Sequence, residues 1–194
     1  MKRNFLQHIE MKRNLIIACF ILFTACYAHA LEISSVVAKL NNNELYVTAS
    51  LKSDPKFMGD MNEGLSKELI FYIDLFKSWN IWPDEFILGK KLIKTLKSNP
   101  IKREHTASIV DGGTHLEKRF KDTESMIEWA MSITDIKLTN TKELEAGSYF
   151  VKITVESRIR KLPPVVGYLL FFVPEKEFSI SKDSAIFQIN AGVK

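Results

Sequence analysis

The sequence runs to 194 residues, with 27 basic and 23 acidic side chains, a formal net charge of +4 and two cysteines. The positive excess sits at the front: the first thirty residues hold Lys2, Arg3, Lys12 and Arg13 against Glu10, leaving 23 basic and 22 acidic groups in the remainder. A balance of +1 excludes the basic footprint of a nucleic-acid binder. Cys19 and Cys26 also lie in the front segment, so the remainder can form neither a disulfide framework nor a thiolate metal site. Its 164 residues are enough to bury about 70% of the unfolded surface around one core.

Met-Lys-Arg-Asn occurs twice, at Met1–Asn4 and Met11–Asn14, and the second copy precedes an apolar run from Leu15 to Tyr27 that ends in Ala28-His29-Ala30. A basic start, a short apolar stretch and an Ala-x-Ala end are the parts of a secretory signal peptide. Thirteen residues fall short of the roughly 20 that span a bilayer as a helix. The expectation is therefore a leader over 1–30, recognised through Ala28 and Ala30, and one β-rich domain over 31–194 placed in the periplasm. Two other fates would anchor the chain to a membrane: retention of the leader, or lipidation of Cys26 within Phe-Thr-Ala-Cys.

Beyond the leader the dominant period is two. Ser34–Leu40 and Glu44–Lys52 read as a hairpin turning at Asn41-Asn42-Asn43, with Leu45, Val47, Ala49 and Leu51 on one side. Asp54–Leu65 allows a short helical turn. Lys67–Phe76 points Leu69, Phe71, Ile73 and Leu75 inward, and its other face, with Ile70, Tyr72 and Phe76, is apolar enough for a central strand. Asp111-Gly112-Gly113 joins His105–Val110 to Thr114–Phe120 as a hairpin. A helix is expected near 122–134, capped by Asp122 or Thr123, with Met126, Trp129, Ala130 and Ile133 as its core face. Gly147 then introduces the clearest alternation, Tyr149, Val151, Ile153, Val155 and Ile159, and Gly167–Val173 and Ser184–Ile189 close the set. Seven to nine strands and one helix imply a mainly β fold, an antiparallel sandwich (immunoglobulin-like topology being one form) or an open barrel.

Chemistry is sparse. In the Gly112-Gly113 hairpin His115 lies opposite Val110, which leaves His105 and His115 well over 10 Å apart, too far to share a metal. No nucleophile elbow, phosphate loop or metal-ligand spacing occurs, and neither histidine has an evident serine partner, so an enzyme is not expected, and no cofactor. Two segments stand out. Trp79, Ile81, Trp82 and Pro83 form an aromatic loop, read first as a plug at the sandwich end and second as a binding site. Lys90, Lys91, Lys94, Lys97, Lys102 and Arg103 occur without an intervening acid. As a strand they read as guards of a sheet edge; facing one way, they would suit an acidic protein surface or anionic lipid headgroups.

The order of these parts resembles the bacterial family catalogued as domain of unknown function 4390: leader, "LEISSVVAKLNNNELYVTASL", the Trp79/Trp82 stretch, the long charged strand pair, the helix at Trp129, "AGSYFVKITVESRI", "RKLPP" and "DSAIFQI". The chain departs from the family at Phe178 and Phe187, where tryptophans are usual. The resemblance implies an exported envelope protein without assigned activity or catalytic residues, often encoded beside a membrane sensor kinase. It favours an interaction module for an envelope or membrane protein, with a role accessory to signalling implied by that neighbouring kinase. A carrier of a small apolar ligand or lipid, held between sheets by Phe171, Phe172 and Leu69–Phe76, is the alternative, and an enzyme of unrecognised type a lower one.

Overall fold

Ten strands and two short helices follow one another in the computed structural model, which describes residues 31–161 and 176–190. The strands β1 (Glu32–Asn41) and β2 (Glu44–Lys52) form the expected hairpin. Asn42 and Asn43 take φ of 49° and 62°, a left-handed pair that asparagine tolerates better than most residues. The helix α1 (Pro55–Asn62) starts where the Asp54 carboxylate accepts the Phe57 N–H at 3.0 Å and proline fills the first turn. Then come β3 (Ser66–Ser78), β4 (Glu85–Asn99), β5 (Glu104–Asp111) and β6 (Thr114–Phe120). The helix α2 (Thr123–Ala130) precedes β7 (Ser132–Asn140), β8 (Gly147–Lys161), β9 (Lys176–Asp183) and β10 (Phe187–Ile189).

The strands make two antiparallel sheets. The smaller has the order β1-β2-β7; the larger has the order β10-β8-β3-β4-β5-β6, with β9 beside β10 along the same margin of β8. The mainly β, sandwich-like fold expected from the alternation is what forms. Between the sheets, Leu45, Val47 and Ala49 of β2 meet Leu69, Phe71, Ile73 and Leu75 of β3, and Val151, Ile153 and Val155 of β8, all fully buried. Each such large side chain contributes about 1.5–3 kcal/mol by leaving water. Phe57 and Met61 of α1, with Met126, Ile127 and Ala130 of α2, seal one end. Among the described residues this core runs from Leu31 to Ile189.

Three expectations need correction. The helix stops at Ala130, where Met131 caps it, and Ile133 belongs to β7; a core position is buried whether a helix or a strand carries it. The Lys90–Arg103 segment is a strand up to Asn99, but β4 lies between β3 and β5, so its lysines guard no edge. β9 was not read as a strand; its side chains are mostly exposed, and the apolar alternation that marks a strand is correspondingly weak. The expected strand at Gly167–Val173 lies outside the described residues.

Among the described residues no strand pairing joins the two sheets; lysines do so instead. At one margin Lys182 Nζ donates to the carbonyls of Ile33 (2.9 Å) and Ser34 (3.0 Å) of β1. At the other, Lys90 donates to the Lys137 carbonyl at 3.2 Å, and Lys94 to those of Trp129 (2.8 Å) and Ser132.

Candidate functional site

β3 and β4 run side by side for their whole length, and the loop joining them, residues 79–84, forms an end of the large sheet opposite α1 and α2. Where α1 packs its apolar side inward, this loop does the reverse. Trp79 is 45% exposed, Ile81 90% and Trp82 74%, and Phe86 at the start of β4 is 56% exposed. The plug expected here does not form, since a loop beyond the last strand pair has no facing sheet to enter. The Asp84 carboxylate accepts the Trp79 N–H at 3.4 Å, tying the loop across its base.

Beneath the loop lies a support that charge alone would not suggest. Lys77 is buried, with its ammonium 4.7 Å from the Trp79 ring centroid and 2.6 Å from the Glu145 carboxylate. The hydrogen bond from Lys77 holds Glu145 below the usual carboxylate range, and Glu145 raises Lys77 in return. Tyr149 donates its hydroxyl to the Glu145 carbonyl at 2.9 Å. On the outer face Phe76 stacks on Phe150 at 5.4 Å and meets Phe86 edge-on at 5.7 Å, the three rings standing on adjacent strands β8, β3 and β4. Next in the rows, Asp74 lies over Gly89, where a Cβ would sit 2.5 Å from its carboxylate. Burial raises the Asp74 pKa, and Lys152 acts against it.

The six cations of the basic stretch scatter. Strand parity puts Lys90 and Lys94 on the face of Leu92 and Leu96, and Lys91 and Lys97 on the other. Lys94 is 3% exposed, 4.2 Å from the Trp129 ring centroid, and burial pushes its pKa down to about 8. Lys90 pairs with Asp111 at 2.9 Å. Lys91 lies over Tyr72 at 5.6 Å, and Lys97, Lys102 and Arg103 are exposed elsewhere. They form no single basic face, so a headgroup site made of Lys90, Lys91, Lys94 and Lys97 is excluded by geometry. Ala28, Ala30, Cys26, Phe171 and Phe172 lie outside the described residues.

His105 does acquire serine and threonine partners. Its Nδ1 is 3.1 Å from Ser98 Oγ and 3.3 Å from Thr123 Oγ1, because Ser98 and His105 are cross-strand neighbours. Both hydroxyl residues are buried and crowd the same ring nitrogen, so neither is presented as a nucleophile. The ring borders a cavity of about 510 Å³ with Arg103, Lys121, Asp122 and Glu124. A neighbouring cavity of about 560 Å³ has Met58, Ile127 and Met131 in its wall with Glu124 and Glu128. Both are lined in part by α2. Among the described residues no group of three or more His, Cys, Asp or Glu side chains could hold a metal, and no helix is long and apolar enough to cross a membrane.

Sequence reasoning found Trp79 and Trp82 but missed Phe76, Phe86, Phe150 and Lys77 as their companions. The outward parity of Phe76 and Phe150 was the available signal: aromatic residues on the solvent side of two strands, beside a tryptophan loop.

Fold and site together define a class: a two-sheet β domain, sealed by helices at one end and aromatic at the other. The chain belongs to the family described as domain of unknown function (DUF4390), whose model matches residues 28–185. No curated protein and no solved structure matches it. The family carries no assigned activity.

Proposed function

We propose that the chain is an exported, periplasmic, non-enzymatic interaction module whose contact surface is the aromatic end formed by Trp79, Ile81, Trp82 and Phe86. The observation that carries this reading is the outward placement of Ile81 and Trp82, at 90% and 74% exposure, on a loop braced from below by Lys77 and Glu145. Large apolar side chains held out in water by a built support are costly unless something covers them. Export is supported by Lys12 and Arg13 before the apolar run to Tyr27, the Ala28-His29-Ala30 end, and a remainder free of cysteine.

Two measurements test it. Terminal sequencing of chain recovered from the periplasm is expected to begin at Leu31; recovery with residues 1–30 attached would replace free export by anchoring. A photo-reactive residue at position 81 in the intact envelope is expected to give a cross-linked product that the same probe at Glu117, on the far strand β6, does not give. Equal capture at both positions, or none at 81, removes the assignment.

A further inference from the structure

The aromatic end also carries the identity of what covers it, and this step rests on the contact surface assigned above. From Ser78 to Pro83 the chain reads Ser-Trp-Asn-Ile-Trp-Pro, six residues without a formal charge. Of the charges bordering them, Lys77 is held by Glu145 and Asp84 accepts the Trp79 N–H, while Glu85, next to Phe86, is exposed. The loop is the turn of a hairpin, and Ile81 and Trp82 project outward from it into solvent. A partner protein would need a matching concavity, whereas a bilayer receives an uncharged aromatic tip without one. Indole rings favour the headgroup level, where the ring body meets hydrocarbon and the N–H meets polar groups.

We propose that Ile81 and Trp82 enter the interfacial layer of a phospholipid bilayer, with Trp79 and Phe86 at headgroup depth behind them. The uncharged tip matches an uncharged interface, so anionic lipid is not required, in contrast to a basic patch. Leu31 stands at the other end of the sheets, since Glu32 pairs with Lys52 just before α1. The thirteen residues of β3 separate that end from the tip by roughly 40 Å. A chain tethered to a bilayer close before Leu31 therefore has its tip well away from the tether point.

The test uses the chain from Leu31 onward, because Leu31–Lys194 forms a compact unit by itself. It is mixed with phosphatidylcholine vesicles, with and without phosphatidylglycerol. Equal sedimentation with both is expected, along with a blue shift of tryptophan emission and quenching by bromine-labelled acyl chains, while Trp129, half-buried on α2, supplies the unshifted background. Ile81→Ser with Trp82→Ala should lower the partition coefficient by at least about tenfold, given the apolar surface removed from the bilayer. An unchanged melting temperature would show that the variant still folds. Partition that requires phosphatidylglycerol, or that survives the double substitution, overturns the proposal. If vesicles are not bound but position 81 captures a protein in the envelope, the lipid inference falls and the interaction surface stands. If neither occurs, both fall.

Discussion

Lys94 stands on the core side of β4 between Leu92 and Leu96, where a charged side chain is costly unless its surroundings answer it. The answer is the end of α2: its ammonium donates to the Trp129 and Ser132 carbonyls and faces the Trp129 ring. Those carbonyls belong to the helix terminus and the chain just after it, where unpaired acceptors and negative dipole charge accumulate. Replacing Lys94 by Met should leave them without donors and cost about 1–3 kcal/mol in denaturant unfolding at neutral pH. The pH dependence has a definite sign. Burial lowers the folded-state pKa from 10.5 to about 8, so between those values the unfolded chain binds more protons and stability rises with pH. The neutral amine keeps two N–H groups for its two carbonyls. Wild type should therefore gain on Lys94→Met by up to about 3 kcal/mol from pH 8 towards 10.5, with a constant difference below pH 8. A difference that shrinks over that range would show that the charged form is favoured by the fold.

At the level of elements, period two made the cores of β2, β3 and β8 readable before any coordinates, because each strand has one face against the other sheet. The same rule fails for β6, which is exposed on both faces but still marked by its Asp111-Gly112-Gly113 turn, and for β9, where only Phe178 and Ile180 pack against the core. It fails differently in β4, where Lys94 follows core parity but carries the charge that composition assigns to solvent. A loop has no period at all, so Trp79–Pro83 gave no sign of which way it faces. The outward direction has a direct consequence for stability. Trp82→Ala should change unfolding free energy by no more than about 0.5 kcal/mol, whereas Phe71→Ala, fully buried on β3, should cost about 3–5 kcal/mol. Comparable losses from the two would restore the plug. A buried ion pair between elements makes a further contrast. Lys67 is 1% exposed and binds Asp60 of α1 (2.6 Å) and Glu177 of β9 (2.8 Å), while Ser157 of β8 also donates to Glu177. Lys67→Met strands two carboxylates and should cost about 3–5 kcal/mol, read as a lowered midpoint in chemical denaturation at neutral pH.

For the molecule as a whole, the open question left by the sequence was sandwich or barrel, and the answer turns on how its margins close. A barrel would pair β1 with β9 and β7 with β6 through the backbone and so remove every edge. Here β1 carries a register shift between Ile33 and Ser35, so Ser34 is left without a place in the ladder with β2. Lys182 fills the gap from the opposite sheet, donating to the carbonyls of Ile33 and Ser34, as Lys90 and Lys94 do for β7. Side chains reaching between sheets join them without fixing strand register, which no alternation of apolar residues could have revealed. A charge-assisted hydrogen bond is worth about 1.5–3 kcal/mol when made, but an exposed lysine returns much of that to water on release. The closure should therefore be local in its effect. Lys182→Met is expected to raise amide exchange in β1 by about tenfold, a change of about 1.4 kcal/mol in local opening, while β3, paired on both sides along its length, keeps its protection. Hydrogen exchange followed by mass spectrometry resolves the two strands. Unchanged protection of β1 would mean that the sheets are held by core packing alone, and a parallel loss in β3 would mean that the lysine margin is part of the global cooperative unit.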